Sequence, residues 1–306
     1  MALGTNHVTN VTGAKFIPEI WSDEIIAAYK QNLVMANLVS KMSFKGKKGD
    51  TLHIPKPTRG SAALKAASTQ VTLIAATESE VQVLVNKHYE YSRLIEDITE
   101  VQALSSMRKF YTGDAGYALA KQVDTDLVQL GRGAAGSNPE NSLYSGAVLA
   151  GDGSTAYVDG TNVGNAITDA GIRKMIQALD DDDVPMDGRV MVLPPVARNT
   201  MMGLSRFTEQ AFTGEVGGGN TIRNGKIGDV YGMTVYVSTN CDTATTTTSR
   251  IGMMFHKEAF VLAEQQGVRS QTQYKQEYLG TLFTSDMLYG VKELRDEAAI
   301  TFALAA

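Results

Sequence analysis

One stretch constrains this chain more than any other: Glu96–Leu130, EDITEVQALSSMRKFYTGDAGYALAKQVDTDLVQL. At helical spacing it sets Ile98, Val101, Leu104, Met107, Tyr111, Ala115, Ala118, Val123, Leu127 and Leu130 along one stripe. Asp97 or Thr99 can cap its start, and Gly131, Gly133 and Gly136 end it, with Pro139 just beyond. A helix of about 35 residues is a rod of roughly 50 Å. Gly113 and Gly116 lie inside it, each costing about 1 kcal/mol against Ala and permitting a bend. The stripe follows no strict heptad, so the rod reads as the spine of a plate-shaped molecule rather than half of a coiled coil.

The flanking sequence has to fold around such a spine. Residues 1–14 are polar and aperiodic, a terminal arm. Ser22, Asp23 and Glu24 suit the first turn of a helix near 22–38, with Trp21 anchoring its start. Gly46 and Gly49 then bracket a turn, and Thr51–Ile54 alternates as a strand. Pro55 and Pro57 bar a central sheet position and favour a projecting ribbon. Residues 58–68 are small and polar apart from Leu64, as at a hairpin tip. Gln70–Ala75 and Glu80–Tyr91 read as returning strands, with Val81, Val83 and Val85 on one face. An isolated hairpin is at best marginally stable, so this excursion predicts a partner subunit that receives it.

Beyond the spine, residues 131–165 are rich in Gly, Ser, Asn and Asp and read as a loop with short strands. A β/α unit follows. Its parts are a helix over 166–179 with Ile167, Ala170, Ile172, Met175, Ile176 and Leu179 inward, a turn at Asp187-Gly188, and a strand at Val190–Leu193. Pro194 or Pro195 opens a helix over 197–204, and strands are expected at Tyr231–Val237 and Ile251–Phe255. From Lys257 the chain turns mostly β, through Phe260–Ala263, Arg269–Tyr278, Leu282–Tyr289, Val291–Leu294 and Ala299–Leu304, a tail expected to return to the sheet beside the spine.

Charge divides the chain. Net charge is −5, yet residues 1–66 hold nine Lys/Arg against four Asp/Glu, leaving 19 basic and 29 acidic residues in 67–306. This split favours a basic arm docking on an acidic body and argues against a dedicated nucleic-acid binder. Lys45, Lys47, Lys48, Lys56, Arg59 and Lys65 face Asp50 alone, and Glu293, Asp296 and Glu297 are candidates for the receiving surface on a neighbour. The single cysteine, Cys241, excludes an intramolecular disulfide and a Cys-based metal site. The apolar runs are too short to span a bilayer, no signal peptide is apparent, and folding in a cytoplasm is expected.

Catalytic and cofactor motifs are missing. Gly214–Gly225 followed by Lys226 resembles a phosphate loop, but five residues separate Gly219 from Gly225 and Ile227 stands where Ser or Thr is needed. Gly151–Ala156 matches a dinucleotide fingerprint by letters only, with no strand leading in and no helix following. Asp180–Asp183 reads as solvated charge, because adjacent carboxylates do not converge on one metal ion. The four histidines, His7, His53, His88 and His256, are scattered. Neither a catalytic, nor a cofactor-binding, nor a metal site is assigned.

The order of parts, with FIPEIWSDEI, GKKGDTLHIP, GKIGDVYGMTVYVS and LYGVKELRDEAAITF along nearly the whole chain, resembles the major capsid protein of tailed bacteriophages, short-tailed type. The resemblance implies an α+β fold with an N-terminal arm (1–45), an extended loop (46–80), and a peripheral domain (81–149 and 257–306) carrying the spine helix 96–130. An axial domain (150–256) completes it. It further implies self-assembly into hexamers and pentamers of an icosahedral shell in the host cytoplasm, enclosing double-stranded DNA without sequence-specific binding. A separate scaffolding protein, a portal and a decoration protein are the implied partners, with no membrane and no catalytic turnover. No crosslinking trio can be placed on this sequence. An encapsulin-like nanocompartment shell, and a hydrolase or nucleotide-binding enzyme, are the alternatives.

Overall fold

A computed structural model describes residues 33–43, 45, 48–57, 60–71, 73, 78–98, 106–130, 148–158, 163–204, 229–241 and 249–305. The proposed helix near 22–38 is therefore described only at its end, where Met35–Leu38 forms one short turn (α1), and Trp21 lies outside the described residues.

The spine is a 25-residue helix, Ser106–Leu130 (α2). Asp97 and Ile98, at the start of the expected stretch, are helical too, and only Glu96 belongs to strand Lys87–Glu96 (β4), where its ladder partner is Gly280. Ile98 is exposed rather than inward, and 99–105 lie outside the described residues. Ala115, Leu119, Val123, Leu127 and Val128 form the buried stripe, with Leu119 taking the inward place expected of Ala118.

Two sheets flank this helix. The four-stranded sheet runs in the order Ser40–Ser43 (β1), Phe260–Lys275 (β10), Gly280–Glu293 (β11), β4, and α2 lies against its β4, β11 and β10 strands. The expected pairs Phe260–Ala263/Arg269–Tyr278 and Leu282–Tyr289/Val291–Leu294 are each one continuous strand. Register shifts between Glu264 and Arg269 hold the break that the Gln/Gly sequence suggests. On the helix side, Tyr91 donates to Asp114 (2.9 Å) and the Arg93 guanidinium stacks 4.7 Å over the Tyr111 ring.

The six-stranded sheet runs Leu149–Ala150 (β5), Ala299–Ala305 (β12), Ser249–His256 (β9), Arg189–Leu193 (β6), Met233–Val237 (β8), Asp229–Val230 (β7). The tail thus divides: β10 and β11 return beside the spine as expected, whereas β12 pairs with β9 in the other sheet. Its AITFALA sequence is apolar on both faces, which suits a sheet interior. Tyr231, expected within a strand, sits with Gly232 in the turn between β7 and β8 at φ 50° and 81°.

Helix Asp169–Asp181 (α3) packs on β12. Thr168 caps it by accepting from the Gly171 N–H (3.0 Å), starting it three residues later than expected and leaving Ala170 exposed. Helix Pro195–Met202 (α4) opens on Pro195, as its sequence predicts. One buried cluster joins Met35, Leu127, Met175, Met191, Phe255, Phe260, Tyr289 and Phe302, so the spine and both sheets share a core.

Candidate assembly interface

Strands Thr51–Pro57 (β2) and Glu78–Leu84 (β3) form a two-stranded antiparallel ribbon, from Thr51 opposite Leu84 to Pro57 opposite Glu78. Among the described residues no third strand joins it, an edge setting in which Pro55 and Pro57 are tolerated. Glu80 accepts from the Gln82 amide (2.6 Å) and meets His53 Nδ1 (3.0 Å), and these contacts hold its carboxyl below the ordinary range. The ribbon's base is seated where Val83 and Val85 bury against Val261 and Ala263. Glu80–Tyr91, expected as one strand, is broken after Leu84: β3 belongs to the ribbon and β4 to the four-stranded sheet.

The distal half has no such seat. Residues 60–71 and 73 form no strand, so Gln70, Val71 and Leu73 differ from the expected return strand; 72 and 74–77 lie outside the described residues. A turn closes at Ala66–Thr69, with Ser68 at φ 63°. Leu64 is 101% exposed and Leu73 91%, against 0% for Val83.

The basic candidates divide by position. Lys45 pairs with Glu264 of its own chain at 3.3 Å. Lys48, Lys56 and Lys65 are exposed, and Lys47 and Arg59 lie outside the described residues. Glu293 is half-buried at the end of β11, and Glu297 is exposed in the 3-10 turn Asp296–Ala298, which also holds Asp296.

A groove of about 840 Å3 lies between the far half of the β2–β3 ladder and the loop after α3, lined by Lys56 and by Asp182, Asp183, Glu258 and Glu297. Burial, then the neighbouring Glu297, Asp181 and Asp183, push the Asp182 carboxyl up, the mark of crowded negative charge. A second cleft of about 510 Å3 holds Lys56 and Glu293. The structure therefore brings Glu293 and Glu297 beside the ribbon of their own chain, a proximity that spacing in sequence does not reveal.

Two carboxylates escape the sequence reading although they fix the spine. Asp124 is fully buried: Oδ1 accepts from the backbone N–H groups of Val34 (3.1 Å) and Met35 (2.8 Å), and Oδ2 from Asn240 Nδ2 (2.9 Å). Asp126 accepts from the Tyr289 hydroxyl (2.7 Å) and Gln122 (3.1 Å) and pairs with Lys87 (3.0 Å). Burial, then Asp126, drive the Tyr289 hydroxyl's pKa upward. The readable signal was V-D-T-D-L-V inside an apolar stripe, because buried carboxylates need dedicated donors. Asp180, one of the four aspartates read as solvated, holds the buried Arg189 guanidinium at 2.7 Å. Asp152, within the dinucleotide-like letters, organises its own loop by accepting from the N–H groups of Ser154 and Thr155 (both 3.0 Å).

Among the described residues no group of His, Cys, Asp and Glu is placed to hold a metal ion, and no helix is long and apolar enough to cross a membrane. Cys241 is buried in the shared core, and the Gly214–Gly225 run lies outside the described residues.

A family model described as phage capsid protein matches residues 97–301. A comparison with curated protein sequences finds no match. Among solved structures, one titled Mycobacterium phage Che8 is similar at TM-score 0.73 and 23% identity, over 94% of this chain and 97% of that one. The capsid of cyanophage P-SCSP1u is similar at TM-score 0.75 and 18% identity (99% and 97% covered), and the cyanophage Pam1 capsid at 0.74 and 13% (99% of each). These structural likenesses establish the fold, and the family match, which covers two thirds of the chain including the spine and most of the six-stranded sheet, establishes the kinship. The chain belongs to the phage capsid proteins: it is a major capsid protein, a structural subunit whose copies build the shell of a virion.

Proposed function

We propose that this subunit assembles into hexamers and pentamers of an icosahedral shell around double-stranded DNA, and that its ribbon lies across a neighbouring copy. The carrying observation is the ribbon's distal half, where Leu64 and Leu73 are exposed and no private core is available to them. Assignment of 1–45 as arm, 46–80 as extended loop, 81–149 with 257–306 as peripheral domain and 150–256 as axial domain follows this reading, with β12 lent to the axial sheet. Lys47, Lys48, Lys56, Arg59 and Lys65 supply the ribbon's positive charge and Glu293, Asp296 and Glu297 the receiving surface, with Lys56 also sharing clefts with Glu293 and Glu297 of its own chain. Lys45, held by Glu264, steers the ribbon's root instead. The acidic balance of residues 67–306 keeps the inner wall from gripping DNA. The subunit performs no catalytic turnover. It assembles in the host cytoplasm with a separate scaffolding protein, and a portal and a decoration protein complete the particle.

Electron microscopy of the purified chain, with and without a co-expressed scaffolding protein, tests this directly: shells or capsomers are expected, and a strict monomer under all conditions refutes it. Reversing Lys48 and Lys65 to Glu is the cleaner charge test, because Lys45→Glu and Lys56→Glu would each set like charges against carboxylates of the same chain. Each exposed pair contributes only about 0–1 kcal/mol, so the reversal acts through many copies and its effect weakens with salt. Normal assembly of the double variant at low and high salt refutes the charge-guided placement.

A further inference from the structure

We infer that Asp124 is a coupling joint, through which the start of the chain responds to the position of the six-stranded sheet relative to the spine. Three independent segments end on this one side chain. Residues 33–39 reach it through the Val34 and Met35 N–H groups, α2 supplies it, and the loop after β8 reaches it through Asn240. The segment 33–39 is otherwise held by burial of Met35 and Val39 and, one residue on, by the Ser40 N–H donating to Lys257 O (3.1 Å). Its short helix α1 has no cap of its own, since Val34 is the N-cap residue and offers no side-chain acceptor. The cap is borrowed from the spine, 90 residues away in sequence.

Asn240 is itself held on both sides, which makes it a lever rather than a passive donor. Its amide group donates to Thr125 Oγ1 (3.2 Å) as well as to Asp124. Thr125 donates to Lys121 O, locking its rotamer on the helix. Among the described residues no cation pairs with Asp124, so neutral donors alone hold the buried carboxylate. Withdrawing one group of donors must reorient it. Because both of its oxygens are committed, a carboxylate that turns to follow Asn240 takes Oδ1 away from the two amides. Motion of the six-stranded sheet against the spine is thereby converted into release of residues 33–39, the junction with the first 32 residues of the chain. Coupling of this kind is reciprocal: loosening the segment also loosens the loop after β8.

Amide hydrogen exchange of the full chain, read by mass spectrometry on peptides covering 33–39, α2 and 238–241, tests the joint. Asn240→Ala lies in the six-stranded sheet's loop and touches neither Val34 nor Met35 in the bonds described. It should nevertheless speed exchange of the 33–39 peptide about tenfold or more, as expected for local opening, while the middle of α2 stays protected. Thr125→Val, which removes only the hydroxyl steadying Asn240, should act in the same direction with smaller amplitude and serves where Asn240→Ala does not fold. Thr200→Ala, an exposed change on α4, should leave the segment unchanged. Unchanged exchange at 33–39 in both joint variants overturns the inference. So does a uniform rise over all peptides, which reports global destabilisation without a joint.

Discussion

Removing the Tyr289 hydroxyl by Tyr289→Phe isolates the second carboxylate of the spine. The ring is fully buried between β4 and α2, 5.9 Å from the Tyr89 ring, and Phe fills the same space. The loss is therefore one O–H donor to Asp126 at 2.7 Å. A hydrogen bond to a charged group contributes about 1.5–3 kcal/mol net, and Asp126 retains Lys87 and Gln122, so about 2 kcal/mol is expected. With an unfolding entropy of about 2.1 cal/mol/K per residue, a chain of 306 residues melts about 3 °C lower. Asp126→Ala removes the acceptor instead and leaves the buried hydroxyl unsatisfied, while Lys87, 31% exposed, keeps access to water. The lost bonds and the unsatisfied hydroxyl together cost about 3 kcal/mol, or roughly 5 °C. Calorimetry on both variants and the double variant gives the ordering, and in the double variant the Tyr289→Phe change should cost much less than alone. A Tyr289→Phe protein that melts together with the wild type, or strictly additive losses, refutes the view that Asp126 is the fixed acceptor tying the spine to the four-stranded sheet.

Further outcomes follow from other particular contacts. Asp286, bound by Arg269 through two hydrogen bonds (3.0 and 2.8 Å) and by Gln266 and His88, has its carboxyl lowered to about 2, the Arg269 guanidinium being the main cause. The unfolded value is about 3.9, so the stability it contributes is fully present above that pH and is lost as pH falls toward 2. Asp286→Asn should flatten the dependence of the urea midpoint on pH across this window, and an unaltered slope refutes the assignment. At Gly290 a Cβ would stand 2.2 Å from Leu84 O, where β11 passes under the bend between β3 and β4. Gly290→Ala should therefore destabilise the protein by about 1–3 kcal/mol and loosen the ribbon's root, measured as faster proteolysis between residues 45 and 80. Leu127→Ala, at the centre of the shared core, should cost about 2–5 kcal/mol in chemical unfolding.

Local chemistry carried much of the architecture. The apolar steps from Ala115 to Leu127 put one face of α2 inward, because helical periodicity is a property of neighbouring residues. Pro55 and Pro57 kept β2 out of a sheet interior, since a missing N–H is a defect wherever a strand sits. Pro195 opened α4, and Asp187-Gly188 turned the chain with Gly188 at φ 82°. The order of these parts sufficed to indicate the capsid fold before any coordinates.

Partners distant in sequence were another matter. Glu96, the first residue of the expected spine, closes β4 because β11 offers it Gly280 as a ladder partner. Strand β12 went to the six-stranded sheet for the same reason, its apolar faces matched by β9 and β5. Asp124 and Asp126 look, in sequence, like charged residues misplaced in an apolar stripe. Only the fold brings the Val34 and Met35 amides, Asn240, Tyr289 and Lys87 to them. Burial of a carboxylate is decided by its donors, which here come from segments up to 163 residues apart. The sequence thus determined the elements, their faces and the ribbon that seeks a neighbour. Tertiary structure alone decided which sheet receives the last strand and which two carboxylates hold the parts together.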